Sequence, residues 1–337
     1  MKRHVKKVII VTLLSVALTG CAAKEANNID NNKNTKIETN QEEKTGVLKD
    51  FEVLVADKPE LGEVKGFIDD NISKADEETA DRMIEYLIEL QKKGIEEEIN
   101  YFYSDNNIDI HEKIKKAYEK DSSKFERAYV FAGDSKYFLL ENMEDKKSAD
   151  GIKKLFDKGY GLYNAEGSYY PVIDFKAIKE EYSEYLTDMT IEYLDIMSGE
   201  LDQPTLVEEY LAIDVAKLKE RAFRYEEFLK KYPKSPNVDD VAMNYMVCIW
   251  KLVNPNIFDG TVDEEFRVVD EMNKVYKDIL SDETHPVTTQ SVKGITEYIE
   301  SKDGVLGSMN NMDELFKASD KLHKEAAEKV KELYLEE

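Results

Sequence analysis

The feature that most limits how this chain can fold is helical periodicity, which begins near residue 48 and continues through most of the remaining sequence. In residues 73–103 the apolar side chains recur every three or four positions among charged ones, at Met83, Leu87, Leu90, Ile95, Ile99 and Phe102. That spacing places them on one face of an amphipathic helix. The alternation of polar and β-branched residues that a sheet requires occurs nowhere at length. The sequence therefore predicts a mainly all-α protein, either an irregular helical bundle or a solenoid-like array.

Two further segments carry the same periodicity, and their boundaries can be predicted from local signals. Residues 122–133 predict a short helix that ends near Gly133, because glycine commonly follows the last helical residue. Residues 261–280 predict a helix that opens at Thr261. The glutamate three residues later, Glu264, gives this start the spacing of a capping box.

One stretch departs from the helical pattern. Residues 159–175, GYGLYNAEGSYYPVIDF, contain three glycines, one proline and four tyrosines. Its two halves can pair across residues 164–167, a loop length that is compatible with a hairpin. Pro171 cannot donate a backbone hydrogen bond, so it would lie at a sheet edge or end the pairing. We predict a small β-hairpin near residues 160–173.

The four tyrosines of this stretch form the candidate binding surface of the sequence. Tyrosine offers a large contact area with a polar tip and loses little entropy on binding, which suits a recognition surface. The same side chains can equally pack a hairpin against helices. Both interpretations stay open for Tyr160, Tyr163, Tyr169 and Tyr170.

The first twenty residues have the composition of a secretion signal. A basic beginning, MKRHVKK, is followed by an apolar run over residues 8–18, which is too short to span a bilayer comfortably. The four residues that come next resemble the lipobox of bacterial lipoproteins, Leu18-Thr19-Gly20-Cys21. The resemblance implies that residues 1–20 are removed and that Cys21 carries a diacylglycerol with further acyl chains such as palmitate. It also implies a lipid anchor in the cell membrane, with the protein on the extracytoplasmic face.

The segment after Cys21 predicts a tether. Residues 21–47 are rich in Asn, Lys, Glu and Thr and contain no aromatic residue. A segment of this kind buries too little apolar surface to offset its conformational entropy, so we expect it to be disordered. Residues 48–337 then form the helical domain, either as one body or as two lobes, 48–158 and 174–337, joined by the hairpin. The Asn- and Lys-rich composition of residues 21–47 is typical of a Gram-positive source.

The charge of the chain excludes one class of partner. The formal net charge is −24, and loss of residues 1–20 removes four basic and no acidic groups, which makes it −28. A protein this acidic is poorly suited to bind nucleic acid by electrostatics. After lipidation of Cys21 the only other cysteine is Cys248, so the sequence predicts no intrachain disulfide. Its apolar surroundings predict a core thiol.

Motifs for catalysis, metals and cofactors are missing from the sequence. There is no Gly-x-Ser-x-Gly, P-loop or dinucleotide fingerprint, and His111, His285 and His323 lack metal-ligand spacing. A calcium loop starting at Asp105 fails, because Ile110 stands where an EF-hand has glycine, and its twelfth position holds lysine. We expect no metal and no cofactor. A pair of carboxylates for hydrolysis cannot be chosen among 71 acidic residues.

Two resemblances cover the middle of the chain. Residues 221–250 resemble the helical hairpin of tetratricopeptide-like lipoproteins, at Phe228, Leu229, Tyr232, Pro233, Ser235, Ala242 and Tyr245. The helical pattern itself predicts helices over 214–231 and 238–252. The likeness implies that they form an antiparallel hairpin, although no second copy follows at the expected period. Residues 150–240 are similar to a set of uncharacterised envelope lipoproteins of Gram-positive bacteria. This second likeness implies a location and no activity.

The sequence thus favours a membrane-anchored extracytoplasmic lipoprotein that acts as a non-enzymatic binding or scaffold protein of the cell envelope. Its expected partners are the membrane, through Cys21, and a protein or cell-wall component. Two alternatives stay open. One is a helical envelope hydrolase that uses paired carboxylates, and the other is a solute-capture lipoprotein.

Overall fold

The computed structural model describes residues 46–104, 109–120, 130–165, 167–306 and 313–335. The predicted signal peptide, the lipobox with Cys21 and nearly all of the predicted tether lie outside these residues. The described residues belong to one compact unit. The division into lobes at 48–158 and 174–337 stays a prediction.

The described chain is mainly helical, which confirms the predicted fold class. Ahead of and around the sheet lie α1 (46–56), α2 (Leu61–Asn71), α3 (Glu77–Phe102), α4 (Ile110–Lys120), α5 (Ser135–Asn142) and α6 (Lys146–Asp157). After the sheet come α7 (Phe175–Tyr182), α8 (Asp188–Asp202), α9 (Val215–Lys231), α10 (Val238–Val253), α11 (Asp270–Leu280), α12 (Pro286–Ser301) and α13 (Asp313–Val330). The last of these continues into a π-helical turn over Lys331–Leu335.

Aspartates begin several of these helices. The side chain of Asp76 accepts a hydrogen bond from the Thr79 amide at 2.8 Å and starts α3, which runs through Gly94 without a break. Asp214 caps α9 through the Lys217 amide at 2.7 Å. These carboxylates accept hydrogen bonds from amides that have no partner within the helix. Their negative charge also interacts favourably with the positive end of the helix dipole.

A three-stranded antiparallel sheet lies among the helices, with the strands in the order β1 (Val130–Phe131), β2 (Tyr160–Ala165) and β3 (Ser168–Ile173). The hairpin of β2 and β3 confirms the prediction for residues 160–173, and Pro171 lies in the edge strand β3, opposite Leu162. The prediction of a helix up to Gly133 is wrong for Val130 and Phe131. These two residues pair with Tyr163 and Leu162 of β2, because an open strand edge offers them backbone partners that a short helix end cannot.

The prediction of a helix from Thr261 is also wrong. Thr261 is buried, and its Oγ1 accepts from the Asn256 amide at 2.8 Å instead of capping a helix. Val262 and Val268 form an isolated antiparallel bridge, and α11 begins only at Asp270. The hydrogen bonds within this loop, from Asn256 to Thr261 and between Val262 and Val268, decide its conformation instead of the capping-box spacing.

The predicted helices over 214–231 and 238–252 correspond to α9 and α10, which pack against each other. Glu226 of α9 joins them to the C-terminal part of the described chain. It is fully buried and accepts hydrogen bonds from the amides of Val287 and Thr288, at 2.8 and 3.1 Å, in the first turn of α12. The hydroxyls of Tyr245 and Tyr334 donate to it as well, each at 2.9 Å.

Candidate ligand-binding cleft

Helix α2 presents a glycine-rich polar face to an open cleft. Gly62, Lys65, Gly66 and Asp69 recur at the spacing of one helix face and line this cleft. Val64 and Ile68, on the opposite side, are fully buried in the core. A Cβ atom at Gly62 or Gly66 would meet no other atom within 4 Å. The missing side chains therefore leave open space.

The cleft has the size of a small-molecule site. Its volume is about 480 Å³, and cavities of roughly 300–1,000 Å³ hold most small ligands. The other walls come from α3, α5, α6 and α7, with aromatic rings from Tyr137, Phe156 and Tyr182. Four acidic and two basic side chains line it: Asp69, Asp157, Asp174, Glu181, Lys65 and Lys136. The cleft therefore carries an excess of negative charge.

A buried ion pair stands in one wall. Lys136 Nζ lies 2.6 Å from Asp174 Oδ2, and both side chains are almost excluded from solvent. Asp174 also accepts from the amides of Gly133, at 2.9 Å, and Ala177, at 3.0 Å, so it caps α7. The ammonium of Lys136 lies 5.5 Å from the ring centroid of Phe156. Burying two charges costs free energy that their attraction only partly offsets, and the two amide bonds to Asp174 offset more of it.

A second polar group lies at the mouth of the cleft. Lys65 Nζ contacts Asp69 at 3.1 Å, Glu181 at 3.3 Å and the hydroxyl of Tyr182 at 3.0 Å. The Tyr182 hydroxyl in turn donates to Asp69. Burial raises the pKa of Tyr182 far above its usual value, and its bond to Asp69 adds to the shift. The phenol therefore stays protonated and acts as a donor.

Gln91 of α3 forms part of the floor. Its side-chain nitrogen donates to the carbonyls of Lys158, at 3.0 Å, and Gly159, at 3.1 Å. Its oxygen, Oε1, is buried and has no hydrogen-bond partner among the residues that the structure describes. The side chain as a whole is 1% exposed. A buried acceptor without a donor costs free energy that a ligand N–H could recover.

Gly159 is required at this floor. Its φ of +82° lies in the left-handed region, and a Cβ there would approach Gln91 Nε2 to 2.4 Å. The next residue, Tyr160, donates its hydroxyl to the backbone oxygen of Gln91 at 2.9 Å. The start of the predicted hairpin therefore supports the cleft from behind.

Two acids of the cleft, Asp69 and Glu181, converge on one lysine. A glycosidase needs one carboxyl that donates a proton and a second that acts as base or nucleophile. Asp69 and Glu181 are the acids that converge here, but the ammonium of Lys65 contacts both. Asp69 and Glu181 therefore share a single cation, whereas the two carboxyls of a glycosidase take two different roles.

The four predicted tyrosines have different environments. Tyr160 and Tyr169 are each 1% exposed and lie in the core. Tyr163 is half-buried and stands opposite Tyr170 in the register of the hairpin, and Tyr170 is 36% exposed. Two of the four rings therefore face inward, as a structural joint requires. Binding at Tyr163 and Tyr170 stays a prediction.

The histidines and the cysteine have separate partners. His111 accepts from the Tyr169 amide at 3.0 Å, and burial lowers the pKa of His111. His285 stacks on Phe223 with centroids 3.9 Å apart, and His323 Nε2 lies 3.0 Å from the Met246 carbonyl oxygen. Burial raises the pKa of Cys248 far above its usual value, so its thiol stays protonated.

Sequence reasoning alone missed the polar residues of the cleft, Lys65, Asp69, Gln91, Lys136 and Asp174. One signal was available. Gly62 and Gly66 recur at helical spacing beside Lys65 and Asp69, whereas glycine is unfavourable inside a helix unless space or close approach requires it. The contributions of Lys136 and Asp174 had no local signal, because they meet only through the fold.

Within the described ranges, no group of three or more His, Cys, Asp or Glu side chains is placed to hold a metal ion. No helix in the same ranges is long and apolar enough to cross a membrane. No family model, no curated protein and no solved structure matches the chain.

Proposed function

We propose that this chain is a membrane-anchored extracytoplasmic lipoprotein that binds an amine- or amide-bearing ligand in the cleft without converting it. The observation that carries the binding role is a ligand-sized cleft that is lined by Gln91, whose Oε1 is buried and has no hydrogen-bond partner among the described residues. The lipobox Leu18-Thr19-Gly20-Cys21 supports the location. Two or more acyl chains give a stable anchor, at about 0.8 kcal/mol for each buried CH₂.

The chemistry of the cleft indicates the ligand class. The lining has more acidic than basic side chains, which favours a ligand that carries a positive charge. The aromatic rings of Tyr137 and Phe156 offer apolar and cation–π contacts. Gln91 Oε1 needs an N–H donor. A short peptide or cell-wall peptide with a free amine has all three properties.

The test fills the cleft with a side chain. The full-length protein is screened with free amino acids, dipeptides and soluble cell-wall peptides by ligand-induced shifts of the unfolding temperature. We expect amine-bearing peptides to raise that temperature, and Gly66→Leu to abolish the shift. Because Gly66 is helical and a Cβ there meets open space, the variant should fold as well as the original chain. Gly199→Leu is the matched control, a helical glycine with open space that lies outside this cleft.

Three results would contradict the proposal. The first is that no amine-bearing peptide binds. The second is that Gly66→Leu binds as tightly as the original chain. The third is that the purified protein releases wall fragments and that Asp69→Asn or Glu181→Gln abolishes this release. That result would instead support the hydrolase alternative. The anchor is tested separately, since a Cys21→Ala variant should leave the membrane fraction.

A further inference from the structure

A second surface stands apart from the cleft on a small hairpin, formed by β4 (Leu206–Val207) and β5 (Tyr210–Leu211). The two turn residues, Glu208 and Glu209, have φ of +52° and +70°. A two-residue turn with both residues in the left-handed region favours Asn and Gly, and glutamate is strained there. The chain therefore keeps two carboxylates at a position where other residues would be more stable.

A buried ion pair fixes this hairpin to the loop after α10. Lys251 Nζ lies 2.7 Å from Asp259 Oδ2 and donates to the Glu209 carbonyl at 2.7 Å. Asp259 Oδ1 accepts from the Leu211 amide at 2.8 Å. The side chains of Lys251 and Asp259 are 8% and 2% exposed. The pair therefore holds the turn and the loop in one fixed geometry.

The supported residues are aromatic and open to solvent. Phe258 is 77% exposed and Tyr210 is 51% exposed, and their ring centroids lie 6.1 Å apart. Ile257, beside them, is 37% exposed. Rings that stay in solvent contribute no free energy of burial to folding. Burial of these side chains therefore does not explain the strained turn and the buried ion pair that support them.

The charge around the rings identifies the partner. A cavity of about 550 Å³ adjoins Tyr210, and its lining includes Asp202 and Glu208 but no basic residue among the described side chains. Glu209 is exposed next to it. Arginine combines a planar face that stacks on aromatic rings with a fork that binds carboxylates. The surface complements a segment in which aromatic and basic side chains alternate.

We infer that Tyr210, Phe258, Glu208 and Glu209 form a docking site for a peptide segment of a partner protein that carries both aromatic and basic residues. The site uses other elements than the cleft and does not depend on what the cleft binds. The rings supply contact area, and the two glutamates select a cationic partner and exclude an acidic one.

The experiment measures binding of labelled peptides to the full-length protein by fluorescence anisotropy. The probes are an alternating Arg-Trp hexapeptide, an Arg-Ser hexapeptide and a Glu-Trp hexapeptide. We expect the Arg-Trp peptide to bind at least about tenfold more tightly than the other two. Tyr210→Ala and Phe258→Ala should each weaken it by about tenfold or more, because rings at the centre of such surfaces dominate affinity. Glu208→Gln combined with Glu209→Gln should reduce the dependence of affinity on salt.

The matched control is Phe316→Ala, which removes another largely exposed phenylalanine and should leave peptide binding unchanged. Gly66→Leu should also leave it unchanged, which separates this site from the cleft. Equal affinity for the Arg-Trp and Arg-Ser peptides would overturn the inference, as would full binding by Phe258→Ala. So would a dimer in sedimentation analysis that Phe258→Ala dissociates, because the surface would then join two copies of this chain.

Discussion

Replacing Glu226 by glutamine should destabilise this protein substantially, although the two side chains have nearly the same shape. Glu226 is 0% exposed and accepts hydrogen bonds on both oxygens. Oε1 accepts from the Val287 amide and the Tyr334 hydroxyl. Oε2 accepts from the Thr288 amide and hydroxyl and from the Tyr245 hydroxyl. The two amides can only donate, and the three hydroxyls lie where they donate as well, so both oxygens of Glu226 serve as acceptors.

The magnitude follows from this donor set. A glutamine oxygen can keep the three bonds of Oε2, but its NH₂ would then face the Val287 amide, donor against donor. A buried donor without an acceptor costs about 1–3 kcal/mol, and the remaining bonds weaken because they lose the charge. Burying a neutral amide in place of a carboxylate returns part of this free energy. We expect a net loss of about 2–3 kcal/mol for Glu226→Gln and about 4 kcal/mol for Glu226→Ala, which also leaves a cavity.

Urea unfolding followed by circular dichroism measures these losses. The midpoint should fall while the slope with denaturant stays unchanged, since the folded structure is retained. Glu220→Gln is the control, because Glu220 lies on the same helix with its side chain exposed. Surface substitutions usually change the free energy of unfolding by no more than about 0.5 kcal/mol. If Glu226→Gln lies within that range of the original chain, the prediction is wrong, because the carboxylate would then hold no essential donor.

Three further predictions concern Glu85, Gly159 and the pair of Lys136 and Asp174. Burial, and then the charge of Asp81, raise the pKa of Glu85 to about 7 from its usual value of about 4.5. Between these two pH values folding takes up a proton at Glu85. The stability that this proton contributes is complete below the pKa of the unfolded chain and is lost as pH rises through the pKa of the folded chain. Glu85→Gln should become more stable relative to the original chain between about pH 5 and pH 8, and a constant difference in urea midpoints would contradict this. Gly159→Ala should lower the free energy of unfolding by about 2–4 kcal/mol, because it adds backbone strain and breaks two hydrogen bonds of Gln91. The control is Gly167→Ala, where φ is +84° and no atom lies nearby, and it should cost only about 1 kcal/mol. Equal unfolding midpoints for the two variants would be evidence against the Gln91 contact. Lys136→Met should lower the free energy of unfolding by about 3–5 kcal/mol, because Asp174 stays buried without its cation. Adding Asp174→Asn to this variant should recover part of that loss. A double-mutant cycle that shows no coupling between the two positions would reject the ion pair.

Local patterns in the sequence were sufficient for the fold class and for the hairpin. The periodic apolar residues of α3 and α9 and the caps at Asp76 and Asp214 act within a few residues of each other, so the sequence alone indicates the helices. The hairpin near 160–173 is also local, because its two strands are joined by a short turn. These are the elements for which pattern and structure agree.

Predictions failed where other backbone or side-chain partners, distant or nearby in the chain, compete with a local helical preference. Val130 and Phe131 follow a helical pattern but pair with β2, about thirty residues later in the chain. Thr261 has a capping-box spacing, yet its hydroxyl bonds to Asn256 within a loop. Local propensity differs between alternatives by only about 1 kcal/mol per residue, so a few additional hydrogen bonds decide the outcome.

The sequence by itself determined that this chain is acidic and mainly helical, with one hairpin at Tyr160 to Ile173, because charge, periodicity and turn chemistry are properties of neighbouring residues. Only the tertiary structure decided which polar groups meet. Lys136 pairs with Asp174, Gln91 lies behind Gly159, and Lys251 holds the turn that carries Tyr210. Such contacts join residues far apart in the chain, and only the packing of helices against the sheet and the loops brings them within hydrogen-bond distance.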